Sequence, residues 1–455
     1  MNYRIEQDYL GSIEIPENSY YGINTQRALL NFPLSNYSLQ NRIYRALALV
    51  KKAATLTNYE LGYLEKDTAF AVCKACDEIA AGKFADSLRT NAMQGGAGTS
   101  ANMNINEVLA NRALEILGFE KGEYNIIHPI EQINLHQSAN DVFPTAMKIA
   151  AIYELKDLAE VYNVLYDAFR DKEKEFGSIL TIARTEFQDA VPMTLGAVFG
   201  AFADVISRDR RRIASSIERL KVVNMGGTAV GTGLTAPKEY IKTITDKLKV
   251  MTGLALQQSE NLIDCTSNYD TVAEVLGNMA TLATTLQKIA LDIRFLHYQE
   301  EIQLQDLQIG SSITPGKINP VISEAMVAVA LKVKANSSMV AELCSLGTLQ
   351  MNEYLPIMAY TLINTLELLR NTAIIAAKHI EQISPKRDVC KSKVENSRVI
   401  ITAFLPYIGF EKAEELLREY AESPDEITLK EFLKRKLGEK LVNRGLSIGN
   451  IMGRK

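Results

Sequence analysis

Five cysteines in 455 residues are too few, and an odd number, for a disulfide framework. The pair Cys73-Lys74-Ala75-Cys76 lies inside the helical run Lys66–Ala81, and one lone CxxC carries neither a redox nor a metal assignment. Only four histidines occur (His128, His136, His297, His379), none at metal-ligand spacing, so no zinc site is expected. No apolar run reaches membrane-spanning length. The start, Met1 to Asp8, lacks the basic-then-apolar pattern of a secretion signal, so a cytoplasmic location is expected. A formal net charge of −4 offers nothing to attract nucleic acid or an anionic membrane. Repeats and low-complexity tracts are absent too.

Proline is scarce, 12 in all, and the middle of the chain is nearly free of it. There, apolar residues recur every three or four positions over Asn140–Gly177, Gly196–Val223, Tyr269–Ile302, Val321–Leu346 and Asn352–Ile380, which predicts long helices packed as a bundle. The stripe in Tyr269–Ile302 is wide, running through Val272, Val275, Leu276, Met279, Leu282, Leu286, Ile289 and Ile293. Burial on more than one side follows, and with it association of chains into a homo-oligomer. Residues 1–139 mix shorter helices with glycine-rich loops, 140–383 hold the long helices, and 384–455 form a charged, helical tail.

Between two of these helices runs Gly310-Ser311-Ser312-Ile313-Thr314-Pro315-Gly316-Lys317-Ile318-Asn319-Pro320. Glycine and proline exclude it from regular structure, and a polar, glycine-hinged loop suits a mobile catalytic element. Three further clusters are polar. Gln94-Gly95-Gly96-Ala97-Gly98-Thr99-Ser100 exposes backbone N–H groups and two hydroxyls of the kind that receive an anion, without matching a nucleotide-binding pattern. Gln137-Ser138-Ala139-Asn140-Asp141 opens a helix, where capping and carboxylate binding are compatible. Ala183-Arg184-Thr185-Glu186-Phe187-Gln188-Asp189 reads as a polar loop between two helices.

Together the four clusters resemble the aspartase/fumarase superfamily, and its aspartate ammonia-lyase branch in particular. Gly310–Pro320 is similar to the GSSxMPxKxNP signature; Glu14-Ile15-Pro16, Tyr20-Tyr21-Gly22 and Gly226-Gly227-Thr228 through Gly233 add to the likeness, which spans about residues 4 to 410. The resemblance implies a mostly α, three-domain fold whose central helices form the core of a homotetramer, with each active site shared between subunits. It implies reversible anti-elimination from a small-molecule carboxylate, with no metal or organic cofactor. By the same resemblance Ser311 is the general base. Lys317 and Asn319 stabilise the aci-carboxylate dianion that dominates the barrier. Thr99, Ser100, Ser138, Asn140, Ser312 and Thr314 bind substrate, and Thr185 binds its other end.

The chain departs from the family at Ala139 (usually threonine), Glu186 (histidine or glutamine) and Thr314 (methionine), and lacks the Ser-Gly-Pro-Arg segment before the loop. A carboxylate ~4 Å from a substrate carboxylate is unfavourable by ~4 kcal/mol at an effective dielectric near ~20. Glu186 therefore points to a substrate other than plain aspartate, with one carboxylate and a cationic or imidazole-like part. Within the superfamily that resembles the ergothionase type, which expels trimethylamine from ergothioneine. A fumarase-type hydratase and a non-catalytic helical scaffold are the competing readings.

Overall fold

The computed structural model describes residues 2–423 and 426–453. It is mostly helical, and its five longest helices fall where the spacing of apolar residues places them: Ala139–Glu175, Leu195–Leu220, Asp270–Tyr298, Val321–Ser345 and Leu355–Glu381. In Asp270–Tyr298 the expected stripe from Val272 to Ile293 is buried throughout. No helix among the described residues is long and apolar enough to cross a membrane.

The chain clusters into two compact units, each drawn from three stretches of sequence: 1–159, 212–281 and 332–369 in the first, 160–211, 282–331 and 370–455 in the second. The first unit opens with an antiparallel hairpin, Tyr3–Asp8 against Gly11–Pro16, followed by the helices Ile23–Asn31, Asn41–Glu60, Lys66–Ala80 and Thr99–Leu117. Helix Ile23–Asn31 has no side-chain cap of its own. Its first N–H groups are met instead by two buried carboxylates: Glu107 accepts from Gly22, Asn24 and Thr25, and Glu6 from Ile23. That satisfies the donors a helix start leaves open.

In the second unit the residues expected as a loop between helices form a hairpin instead. Leu180–Thr185 pairs antiparallel with Gln188–Thr194, and only Glu186 and Phe187 make the turn. The strands pack on the helical tail: Ile182 joins Val394, Ile400, Phe404, Leu416, Phe432 and Leu433 in one apolar core. Beyond helix Asp270–Tyr298 the chain turns through Glu300, at φ +58°, into a short strand Ile302–Gln303 that pairs with Ser384–Pro385. This strand leads into the 310–320 loop.

Candidate active site

Thr99, Ser100, Ser138, Ala139 and Asn140 lie in the first unit. Gly98, at φ +89°, precedes helix Thr99–Leu117, and a Cβ there would stand 2.6 Å from the ring of Phe143. Glycine thus lets the start of that helix press against the start of Ala139–Glu175. Thr99 is exposed, Ser100, Ser138 and Asn140 are half-buried, and Ala139 is buried. Two helix N-termini meet here, each with a partial positive charge, which is a setting for carboxylates.

Helix Ala139–Glu175 begins with a reciprocal cap. Ser138 Oγ accepts from Asn140 N at 3.2 Å, and Asp141 accepts from Ser138 N at 2.9 Å. Pro144, inside the first turns, cannot donate back to the Asn140 carbonyl. Asn224 Nδ2 donates to that carbonyl instead, at 2.9 Å. Asn140 Nδ2 in turn donates to Ala229 O at 2.7 Å, tying the binding segment to the 226–233 glycine loop.

Behind this surface lies a buried polar network that the sequence did not reveal. Asp141 also accepts from Gly226 N and Thr228 N; burial pushes its carboxyl up to about 6 against those N–H bonds and the nearby Lys51. Lys51 is fully buried, and burial pushes it down to about 7. Its Nζ donates to Asn134 Oδ1 at 2.8 Å, an oxygen that also receives Asn102 and Asn106. A lysine in the apolar face of Asn41–Glu60 was the available signal.

Thr185, Glu186, Ser311, Ser312, Thr314, Lys317 and Asn319 lie in the second unit. The loop folds back on itself: Gly310 N donates to Lys317 O at 2.8 Å, and Asn319 Nδ2 to Gly310 O at 2.9 Å. A Cβ on Gly310 would sit 2.8 Å from Lys317 O, so glycine is required for the closure. Ser311 Oγ accepts two backbone N–H bonds, from Ile313 at 3.1 Å and Thr314 at 2.8 Å. Two donors aimed at one hydroxyl oxygen favour negative charge on it. Ser311 and Asn319 are half-buried; Ser312, Thr314 and Lys317 are exposed.

At the hairpin tip Glu186 and Phe187 both take positive φ, +52° and +61°. They border an open cavity of about 900 Å³ that Ile318 and Pro320 of the loop also line. The hairpin is held from behind by Arg184, which pairs with the fully buried Glu301 and, at 3.5 Å, with Asp189. Lys393 approaches Glu301 at 3.6 Å and Ser397 donates to Asp189 at 2.7 Å.

A family model described as "Lyase" matches residues 11–335. The chain belongs to this lyase family, within the aspartase/fumarase superfamily. Aspartate ammonia-lyase of Bacillus sp is 41% identical over 91% of this chain and 90% of its own. That of Escherichia coli K12 is 39% identical over 99% and 96%. Among solved structures, fumarate lyase:delta crystallin from Brucella melitensis, bound to cobalt, covers 100% of both chains at TM-score 0.94 and 36% identity. Class II fumarase from Schistosoma mansoni covers 98% of this chain and 99% of its own at TM-score 0.91 and 29% identity. This member of the family is an enzyme of the lyase class, so the scaffold reading falls away.

Proposed function

We propose that this lyase breaks a carbon–nitrogen bond by anti-elimination, on an amino-carboxylate whose non-reacting end carries a cationic or imidazole-like group. The observation that carries the substrate reading is Glu186. It borders the cavity that also touches the 310–320 loop, and it has no ion-pair partner among the described residues. An unpaired carboxylate there opposes a second substrate carboxylate and favours a cation. Buried Ala139, without the hydroxyl the family usually supplies, supports the same direction.

In the chemistry, Ser311 takes the proton from the carbon beside the carboxylate. The C–H electron pair passes into that carboxylate as an aci-dianion, held by Lys317, Asn319 and backbone N–H groups. The pair then returns to form the double bond as the amine leaves with the C–N electrons. A serine is a poor base at its ordinary pKa, and the two N–H bonds on Ser311 Oγ supply part of its activation. Thr99, Ser100, Ser138 and Asn140 hold the carboxylate end, and Thr185, Ser312 and Thr314 contact the remainder. The enzyme works as a cytoplasmic homotetramer with shared sites, its functional segments divided at 139/140 and 383/384. Elimination of trimethylamine from a histidine-derived betaine, the ergothionase type, is a variant in which Ser311 takes the proton from the carbon beside the imidazole-type ring. That ring holds the electron pair until the double bond forms and the amine leaves the carbon beside the carboxylate.

A second reading, plain L-aspartate as substrate, is favoured by the relatives near 40% identity that bear that name. Incubation with a panel of amino acids and betaines separates the two, following conjugated product by ultraviolet absorbance together with released amine. The proposal expects turnover of a cationic or imidazole-bearing member. Rapid fumarate formation from L-aspartate, with no betaine consumed, overturns it.

A further inference from the structure

The turn Glu186–Phe187 is built against the preference of the backbone. A two-residue hairpin turn with positive φ at both positions is normally Asn-Gly or a close equivalent, because a Cβ is disfavoured there. Here a glutamate and a phenylalanine occupy it, and Phe187 is 78% exposed. Burial does not account for a phenylalanine so placed. Its ring meets Phe295 edge to face, with centroids 5.1 Å apart and planes inclined at 67°. Such a pair leaves ring surface open, and both rings border the cavity that Glu186 and Ile318 also border.

The charges around this cavity are otherwise matched. Arg184 is paired with Glu301 and Asp189, Arg294 faces Glu324 at 3.7 Å, Lys386 faces Glu300 at 3.8 Å, and Asp292 is bonded to Lys288. His297 directs Nδ1 at the Ile302 carbonyl, 3.3 Å away. Glu186 alone among the bordering carboxylates is uncompensated. An aromatic face attracts cations through its quadrupole, and an adjacent free carboxylate adds to that attraction.

We propose that Phe187 and Phe295 form an aromatic wall, completed by Glu186, that selects ligands carrying a quaternary or delocalised cation. The wall deepens the substrate reading above and rests on this cavity being where substrate binds. Strain at the turn is retained because it presents the Phe187 ring to the cavity. The chain contains no tryptophan, so Phe187→Trp places a single reporter in the wall. The full-length Phe187→Trp protein is titrated with tetramethylammonium and with neopentyl alcohol, a neutral molecule of similar branched shape, following tryptophan emission. Saturable quenching by the cation, at least ~5-fold tighter than by the alcohol, is expected. Adding Phe295→Leu or Glu186→Gln removes that preference, and calorimetry shows the same loss for Phe187→Leu against the wild type. Equal responses to cation and alcohol, or a preference that survives Phe295→Leu, overturn the proposal. No turnover enters the titration. A protein that binds the cation but yields no product contradicts only the lyase reading, and product formation without cation preference contradicts only the wall.

Discussion

At Gly98 one added methyl group meets two obstacles at once. The backbone sits at φ +89°, and the new carbon would stand 2.6 Å from Phe143. Left-handed backbone and overpacking together predict that Gly98→Ala lowers stability by about 2–4 kcal/mol in urea titrations. Gly95→Ala, three residues earlier with nothing within 4 Å of the new carbon, stays within ~0.5 kcal/mol. Lys51 gives a pH signature. Burial lowers it from its ordinary 10.5 to about 7. Between those values the unfolded chain holds a proton that the folded chain has released, so stability rises as pH increases from about 7 toward 10.5. Urea midpoints of wild type should therefore climb over that window relative to Lys51→Met; parallel curves would contradict the assignment. The glycines of the 95–98 segment were legible in the sequence because glycine has few other uses. The network around Lys51 was not, since Asn134, and the Asn102 and Asn106 amides that share its oxygen, come from segments at least fifty residues away.

The long helices were legible as elements because proline is missing from them and their apolar residues repeat at helical spacing. The hairpin 180–194 was not. Its turn carries neither glycine, asparagine nor proline, and the exposed strand positions beside the turn, Thr185, Gln188 and Asp189, are polar, so it resembles a loop. The hidden element also carries two adjacent left-handed residues at its turn, which agrees with strain being kept where function uses it. Converting the turn to Glu186→Asn with Phe187→Gly should raise stability by about 1–2 kcal/mol while lowering activity. Thermal melts and initial rates on the same preparation check both halves; a gain in both would remove the functional reason for the strain. Behind the hairpin, Glu301→Ala strands Arg184 and Lys393 in a region where the carboxylate was fully buried. A loss of about 3 kcal/mol is expected from denaturant midpoints.

At the scale of the whole molecule, the candidate binding residues are split between two compact units. If sites are shared between subunits, mixing inactive Ser138→Ala with inactive Ser311→Ala protein after mild dissociation restores turnover. Sites complete within one chain give none. In the proposed elimination the base is the hydroxyl of Ser311, whose oxygen accepts two backbone N–H bonds. Its most direct test is the rate of Ser311→Ala beside wild type on whichever member of the substrate panel is consumed, reading unsaturated product and released amine together, with oligomeric state measured by light scattering. Turnover is predicted to fall by about two to four orders of magnitude with the oligomer unchanged, whereas a variant that keeps the wild-type rate would contradict the assignment of the base.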